Sequence, residues 1–186
     1  MKSEILKLSI VIFSLSLMAC GSGTENTTSE NLPEQAIDYQ NKALGDWDAC
    51  AGMDEDIFRK IFEVPDSYQL MDMSSMNVSK GTCLMFAEND GQKFGIMVQM
   101  MSTPSTYKIM AAGILRDFEK VPEELRVKGL GKEAAWVERE NRKVSGITVV
   151  GDDHVVAIMA DHYNTRDRDE LQPMLEKYYR HWLKSH

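Results

Sequence analysis

A basic surplus, a CxxC pair and an apolar run of membrane-spanning length are all missing from this 186-residue chain, and each absence removes a class of function. With 29 acidic against 21 basic residues the net charge is −8, and no basic stripe stands out along the sequence. That balance argues against nucleic acid as a partner and against electrostatic attachment to anionic lipid. The most apolar segment, residues 8–17, is about half of the roughly 20 residues a spanning helix requires. There is no G-x-S-x-G elbow and no H-E-x-x-H helix, and Gly129-Leu130-Gly131 lacks the third glycine and the strand-then-helix setting of a dinucleotide loop. No internal repeat is visible. The sequence therefore nominates no catalytic residue, no cofactor-binding residue and no cofactor.

What is present at the front of the chain is more specific. Lys2 and Lys7 precede the apolar segment LSIVIFSLSL, the layout of a secretory signal, and the segment closes on Leu17-Met18-Ala19-Cys20. A small residue directly before a cysteine at this distance from Met1 resembles the lipobox of bacterial lipoproteins. The resemblance implies a signal peptide over residues 1–19 and a thioether-linked diacylglycerol on Cys20. In Gram-negative hosts it also implies a fatty acyl group, such as palmitate, on the Cys20 nitrogen. Several chains together anchor stably where one would be marginal. Gly21 in place of aspartate favours, by the same resemblance, the outer membrane. The expected address is the bacterial cell envelope, with the lipid bilayer as a partner through acylated Cys20.

Residues 20–42 then read as a lipidated cysteine followed by a disordered linker, since GSGTENTTSENLPEQ is polar and lacks apolar periodicity. A linker in that regime holds the domain on the order of 25 Å from its anchor. Residues 43–186 are expected to form a single domain, long enough for a proper core. Without residues 1–19 the chain keeps 19 basic and 28 acidic residues, a net of −9. Two cysteines remain once Cys20 carries lipid. Cys50 and Cys83, an even pair in an exported domain, most simply form a disulfide. A redox or metal pair lacks support, because no histidine lies within a few residues of either.

Within the domain, Asp54 and Glu55 precede Ile57, Phe58, Ile61 and Phe62, one apolar face of a short helix that Pro65 stops. Residues 66–81 stay ambiguous between loop and weak strand. Residues 82–87 and 93–101 read as strands about the hairpin signal Asp90-Gly91. Thr103-Pro104 predicts a helix from 104 to about 120, with Tyr107, Met110, Ala111, Ile114 and Phe118 on its buried face. Three strands follow, 134–139, 144–150 and 154–160, with Gly151-Asp152-Asp153 as the turn between the last two. Leu171, Met174, Leu175, Tyr178 and Trp182 predict a final helix, in which Pro173 is tolerable in the first turn.

Asp48-Ala49-Cys50 before an acidic helix, Gly81-Thr82-Cys83 opening a strand, and the segment VKGLGKEAAW at 127–136 resemble a class of bacterial lipoprotein domains of unknown function with a PsbP-like sandwich. The resemblance covers residues 46–184. It implies an α+β fold, a mainly antiparallel sheet of about five to six strands covered by about three helices, and a cysteine before the first helix placed against one on the first strand. It implies no chemistry.

Three groups of residues have side chains that chemistry could use. Asp152, Asp153 and His154 lie at a turn and Asp161-His162 at a strand end, where solvated turn residues are commoner than a metal site needing three or four ligands. Met71, Met73 and Met76 could suit Cu(I), but methionine is used throughout, as a flexible core filler. Trp47, Trp136 and Trp182 are expected in the core. No metal residue is therefore expected either. The reading is a non-enzymatic, membrane-anchored lipoprotein that binds an envelope protein partner or a ligand, with an envelope hydrolase and a periplasmic metal-handling protein as alternatives.

Overall fold

A computed structural model describes residues 32–139, 144–161 and 166–186, and the architecture is α+β. Four helices, α1 (Leu32–Leu44), α2 (Glu55–Phe62), α3 (Tyr107–Phe118) and α4 (Arg168–Leu183), surround one six-stranded sheet. The strands are β1 (Gln69–Leu70), β2 (Thr82–Asn89), β3 (Gln92–Met100), β4 (Glu133–Arg139), β5 (Val144–Val150) and β6 (Val155–Asp161). Their order across the sheet is β1-β2-β3-β6-β5-β4, and every neighbouring pair is antiparallel. Among the described residues no helix is long and apolar enough to cross a membrane.

The period of two in the strands assigns the two faces. Phe94, Ile96, Val98, Ile147, Val149, Val156 and Ile158 pack with Phe58 and Phe62 of α2 and with Leu171, Leu175, Tyr178 and Trp182 of α4 in the larger core. Ala135, Val150 and Val155 face the other way, where Ala111 and Phe118 of α3 cover them. The β2–β3 hairpin turns at Asp90 and Gly91, both at positive φ (49° and 77°), the backbone that an Asp-Gly pair favours in a two-residue turn. The outer edge of β2 is closed by a side chain: the Asn77 amide accepts from the Leu84 N–H and donates to the Leu84 carbonyl. Such closure removes a template for unwanted strand pairing.

The fold departs from the sequence reading at three helices. Residues 32–42, expected to be linker, belong to α1, and the compact unit begins at Asn31. Among the residues of this helix whose burial is described only Leu44 is buried, and no apolar stripe announces it; Pro33 and Glu34 in the first turn are its sequence support. Helix α3 begins at Tyr107, not 104, because the Thr103 and Thr106 hydroxyls bond each other at 2.9 Å in a turn before it. Its Met110 faces solvent. Pro173 lies in the second turn of α4, tolerated because it is exposed and the Asp167 carboxylate caps the helix through the Glu170 N–H.

Helices α2 and α4 are fixed relative to each other by Arg166, whose guanidinium donates to the carbonyls of Phe62 and Glu63 at the end of α2. It also lies 5.1 Å from the Phe94 ring centroid.

Candidate functional site

The Asp153–His154 pair is half of the one constellation in the sequence with chemical potential. The expectation that His154 is a solvated turn residue is corrected: its ring is 3 % exposed. Gly151 explains the difference, because a Cβ there would fall 2.1 Å from the imidazole, so glycine lets the ring fold back over its own turn. Trp47 then covers it at 4.7 Å between centroids and Trp182 meets it edge-on at 5.5 Å. Asp152, 95 % exposed at its side chain, stays in solvent.

His154 Nδ1 lies 3.0 Å from the Asp153 carboxylate and Nε2 lies 3.0 Å from the Tyr179 hydroxyl. An ionised carboxylate can only accept, so in the neutral ring Nδ1–H donates to Asp153 and Nε2 accepts from Tyr179. Carboxylate, imidazole and hydroxyl in that order form the line that activates a nucleophile elsewhere. Here the line ends in a sealed phenol. Burial, then the charges of Asp152 and Asp153, push the Tyr179 hydroxyl up to about 12, and Tyr179 is 3 % exposed. Both ring nitrogens of His154 are spent, and the group fastens the start of β6 to α4.

This burial has a measurable consequence at alkaline pH. Tyr179 and Tyr178 are held protonated in the fold well above the ordinary value of 10.0, Tyr178 by burial first and the Asp48 charge second. Stability from these groups is therefore complete below pH 10 and is lost as pH rises through about 12, with Tyr179 contributing on the order of 2 kcal/mol. Phenolate absorbance should show both ionising only together with alkaline unfolding, and Tyr179→Phe should flatten the fall in stability. Ionisation of all six tyrosines near pH 10 in an intact fold would refute this placement.

His181 and His186 serve the same end of the molecule. His186 Nε2 accepts from the Asp48 N–H and its Nδ1–H donates to the Trp182 carbonyl, each at 3.0 Å, which fixes a neutral tautomer. His181 Nε2–H donates to the Gly52 carbonyl at 3.0 Å. His162 lies outside the described residues, as does Cys20. Among the described residues no three His, Cys, Asp or Glu side chains converge as a metal site. Met71 and Met76 are exposed in the turn that carries half-buried Met73. Trp47 and Trp182 stack at 5.3 Å, whereas Trp136 belongs to β4, donates to Glu138 at 2.7 Å and lies beneath Arg168. Cys50 and Cys83 form a disulfide with Cα atoms 4.9 Å apart.

An open concavity lies elsewhere, between α2 and α4. It measures about 550 Å³, with Ile57, Ile61 and Pro173 among its apolar lining and Lys60, Lys177, Arg180, His181 and Lys184 as basic lining. The last four recur at i, i+3, i+4 and i+7, a single helix face. The acidic composition masks this stripe, and the reading of a surface with no basic stripe is corrected by it. Glu176 is the groove's single acid and pairs with Arg180 at 3.5 Å.

No family model, no curated protein and no solved structure matches the chain. The groove between α2 and α4 offers cations beside an apolar floor, an arrangement suited to an anionic group carrying an apolar portion.

Proposed function

We propose that the protein is a tethered envelope lipoprotein, held to a bilayer through acylated Cys20, whose α+β domain binds an anionic ligand or partner in the α2–α4 groove without performing chemistry on it. One observation carries the binding part: Lys60, Lys177 and Lys184 are exposed on the groove and have no ion pair among the described residues. Several other surface cations do have carboxylate partners, as in Lys93–Glu88, Lys120–Asp117 and Lys128–Glu123. Unneutralised cations around a concavity in an acidic protein are available to a ligand. The non-enzymatic part is supported by the Asp153–His154–Tyr179 line, in which His154 and Tyr179 are buried and both imidazole nitrogens are bonded within the line.

The tether is tested at Cys20. A Cys20→Ala variant should lose fatty-acid label entirely and fail to accumulate as the processed, membrane-bound form, while its domain folds as before. Label and membrane attachment at wild-type levels in that variant would refute the tether.

A further inference from the structure

The groove's occupant can be narrowed by what its walls offer and by where the tether would hold it. Lys60, Lys177 and Lys184 present point charges without an ion pair among the described residues, beside Arg180, whose guanidinium donates to the Gly129 carbonyl at 3.1 Å and pairs with Glu176, and ammonium donors of this kind suit phosphate oxygens. Lys60, Lys177, Arg180 and Lys184 against Glu176 leave the groove a local charge of +3, in a protein of net charge −8. Ile57, Ile61 and Pro173 lie beside those cations, where methylene groups attached to a phosphate would rest. Leu183, 41 % exposed, adds an apolar side chain next to Lys184 at the end of α4.

We propose that this groove holds the phosphate-bearing headgroup of an anionic lipid in the very bilayer that anchors the chain, so that the α2–α4 face lies against the membrane. The proposal rests on the tethered reading of Cys20. Eleven residues lie between Cys20 and Leu32, and the twelve steps of chain from one to the other reach no more than about 43 Å even fully extended. Within that reach the anionic surface is present at high effective concentration, so a contact too weak to recruit a free domain still sets the orientation of a tethered one. The acidic remainder of the domain is repelled by the same surface, which leaves the groove as the face that can approach. Each lysine near an anionic surface changes partition roughly five-fold, and salt screens the effect.

The test uses the full acylated protein reconstituted in two kinds of vesicle, phosphatidylcholine alone and phosphatidylcholine with about one-third phosphatidylglycerol. Amine labelling read by mass spectrometry should be at least about five-fold slower at Lys60, Lys177 and Lys184 in the anionic vesicles, and should recover at about 0.5 M salt. Lys120 and Lys128, on other surfaces, serve as references. In a Lys177→Gln/Lys184→Gln variant the protection at Lys60 should disappear, whereas Lys120→Gln/Lys128→Gln should leave it intact. Equal labelling in both vesicles overturns the proposal. So does protection by inorganic phosphate or by an acidic peptide on neutral vesicles with none from phosphatidylglycerol, which would assign the groove to a soluble anion or to an acidic protein segment. Flotation with neutral vesicles in high salt reports the acyl anchor alone. Loss of flotation therefore refutes the tether, and flotation without protection refutes the lipid site.

Discussion

Removing the Cys50–Cys83 bond should lower the stability of the domain by about 3 to 4 kcal/mol, the loop-closure entropy expected for a separation of 33 residues. The bond acts mainly on the unfolded chain. In the fold, the segment carrying Cys50 is held independently: the Ala49 N–H donates to the Lys80 carbonyl at 2.7 Å, and the Cys50 N–H to the Asp48 carboxylate at 2.8 Å. Trp182 Nε1–H and His186 Nε2 grip the Asp48 backbone from the other side. The reduced protein should therefore keep the native arrangement while its unfolded state expands. Two measurements follow from urea titration with and without reductant. The midpoint should fall, and the slope should rise, because a less constrained unfolded chain exposes more surface. A Cys50→Ala/Cys83→Ala variant should match the reduced protein apart from the small cavity left at Cys83, which is buried. An unchanged midpoint under full reduction would show that the bond contributes nothing to stability.

How much of this was legible in the sequence depends on whether the signal was local. Strands β2 to β6 and helices α2 and α4 follow from apolar periods of two and 3.6, because each buries one face against the sheet. Helix α1 escaped the same reasoning because, among its residues with described burial, Leu44 alone is buried, and the polar link from Asn41 to the Lys80 N–H joins segments far apart in the chain. The edge closure by Asn77 escaped for a similar reason, since an amide in a Ser- and Met-rich stretch carries no mark of the strand it pairs with. At the groove, the spacing of Lys177, Arg180, His181 and Lys184 was readable as a helix face; net charge hid it, because composition averages over faces that the fold separates. Lys60 and the floor residues Ile57 and Ile61 could not have been joined to that stripe from spacing, as only the packing of α2 on α4 brings them together. The burial of His154 was beyond reach for the same reason: Trp47 and Tyr179 come to it from opposite ends of the domain.

Truncating Trp182 to alanine should be the most damaging single substitution in the domain, costing about 3 to 5 kcal/mol. Trp182 is 0 % exposed, stacks with Trp47 at 5.3 Å, meets the His186 ring at a tilt at 4.6 Å, and meets His154 edge-on at 5.5 Å. Its Nε1–H donates to the Asp48 carbonyl at 3.0 Å, so the truncation removes packing and a hydrogen bond at once. Trp182→Phe separates the two losses. The Asp48 carbonyl still accepts from the Ala51 N–H at 3.1 Å and is not orphaned, and a ring remains in the stack. That variant should lose only about 1 to 2 kcal/mol, most of it from the smaller ring. Coupling between Trp182 and Trp47 in a double-mutant cycle should be about 0.5 to 1.5 kcal/mol, as for other stacked aromatic pairs. The same residue connects stability to the groove, because it anchors the turn of α4 that presents Arg180 and Lys184. Trp182→Ala should therefore weaken vesicle-dependent protection of Lys184 even under conditions where the variant remains folded, and Trp182→Phe should preserve it. A cost for Trp182→Ala within about 0.5 kcal/mol, the range of ordinary surface substitutions, would mean that this aromatic cluster does not hold α4 in place.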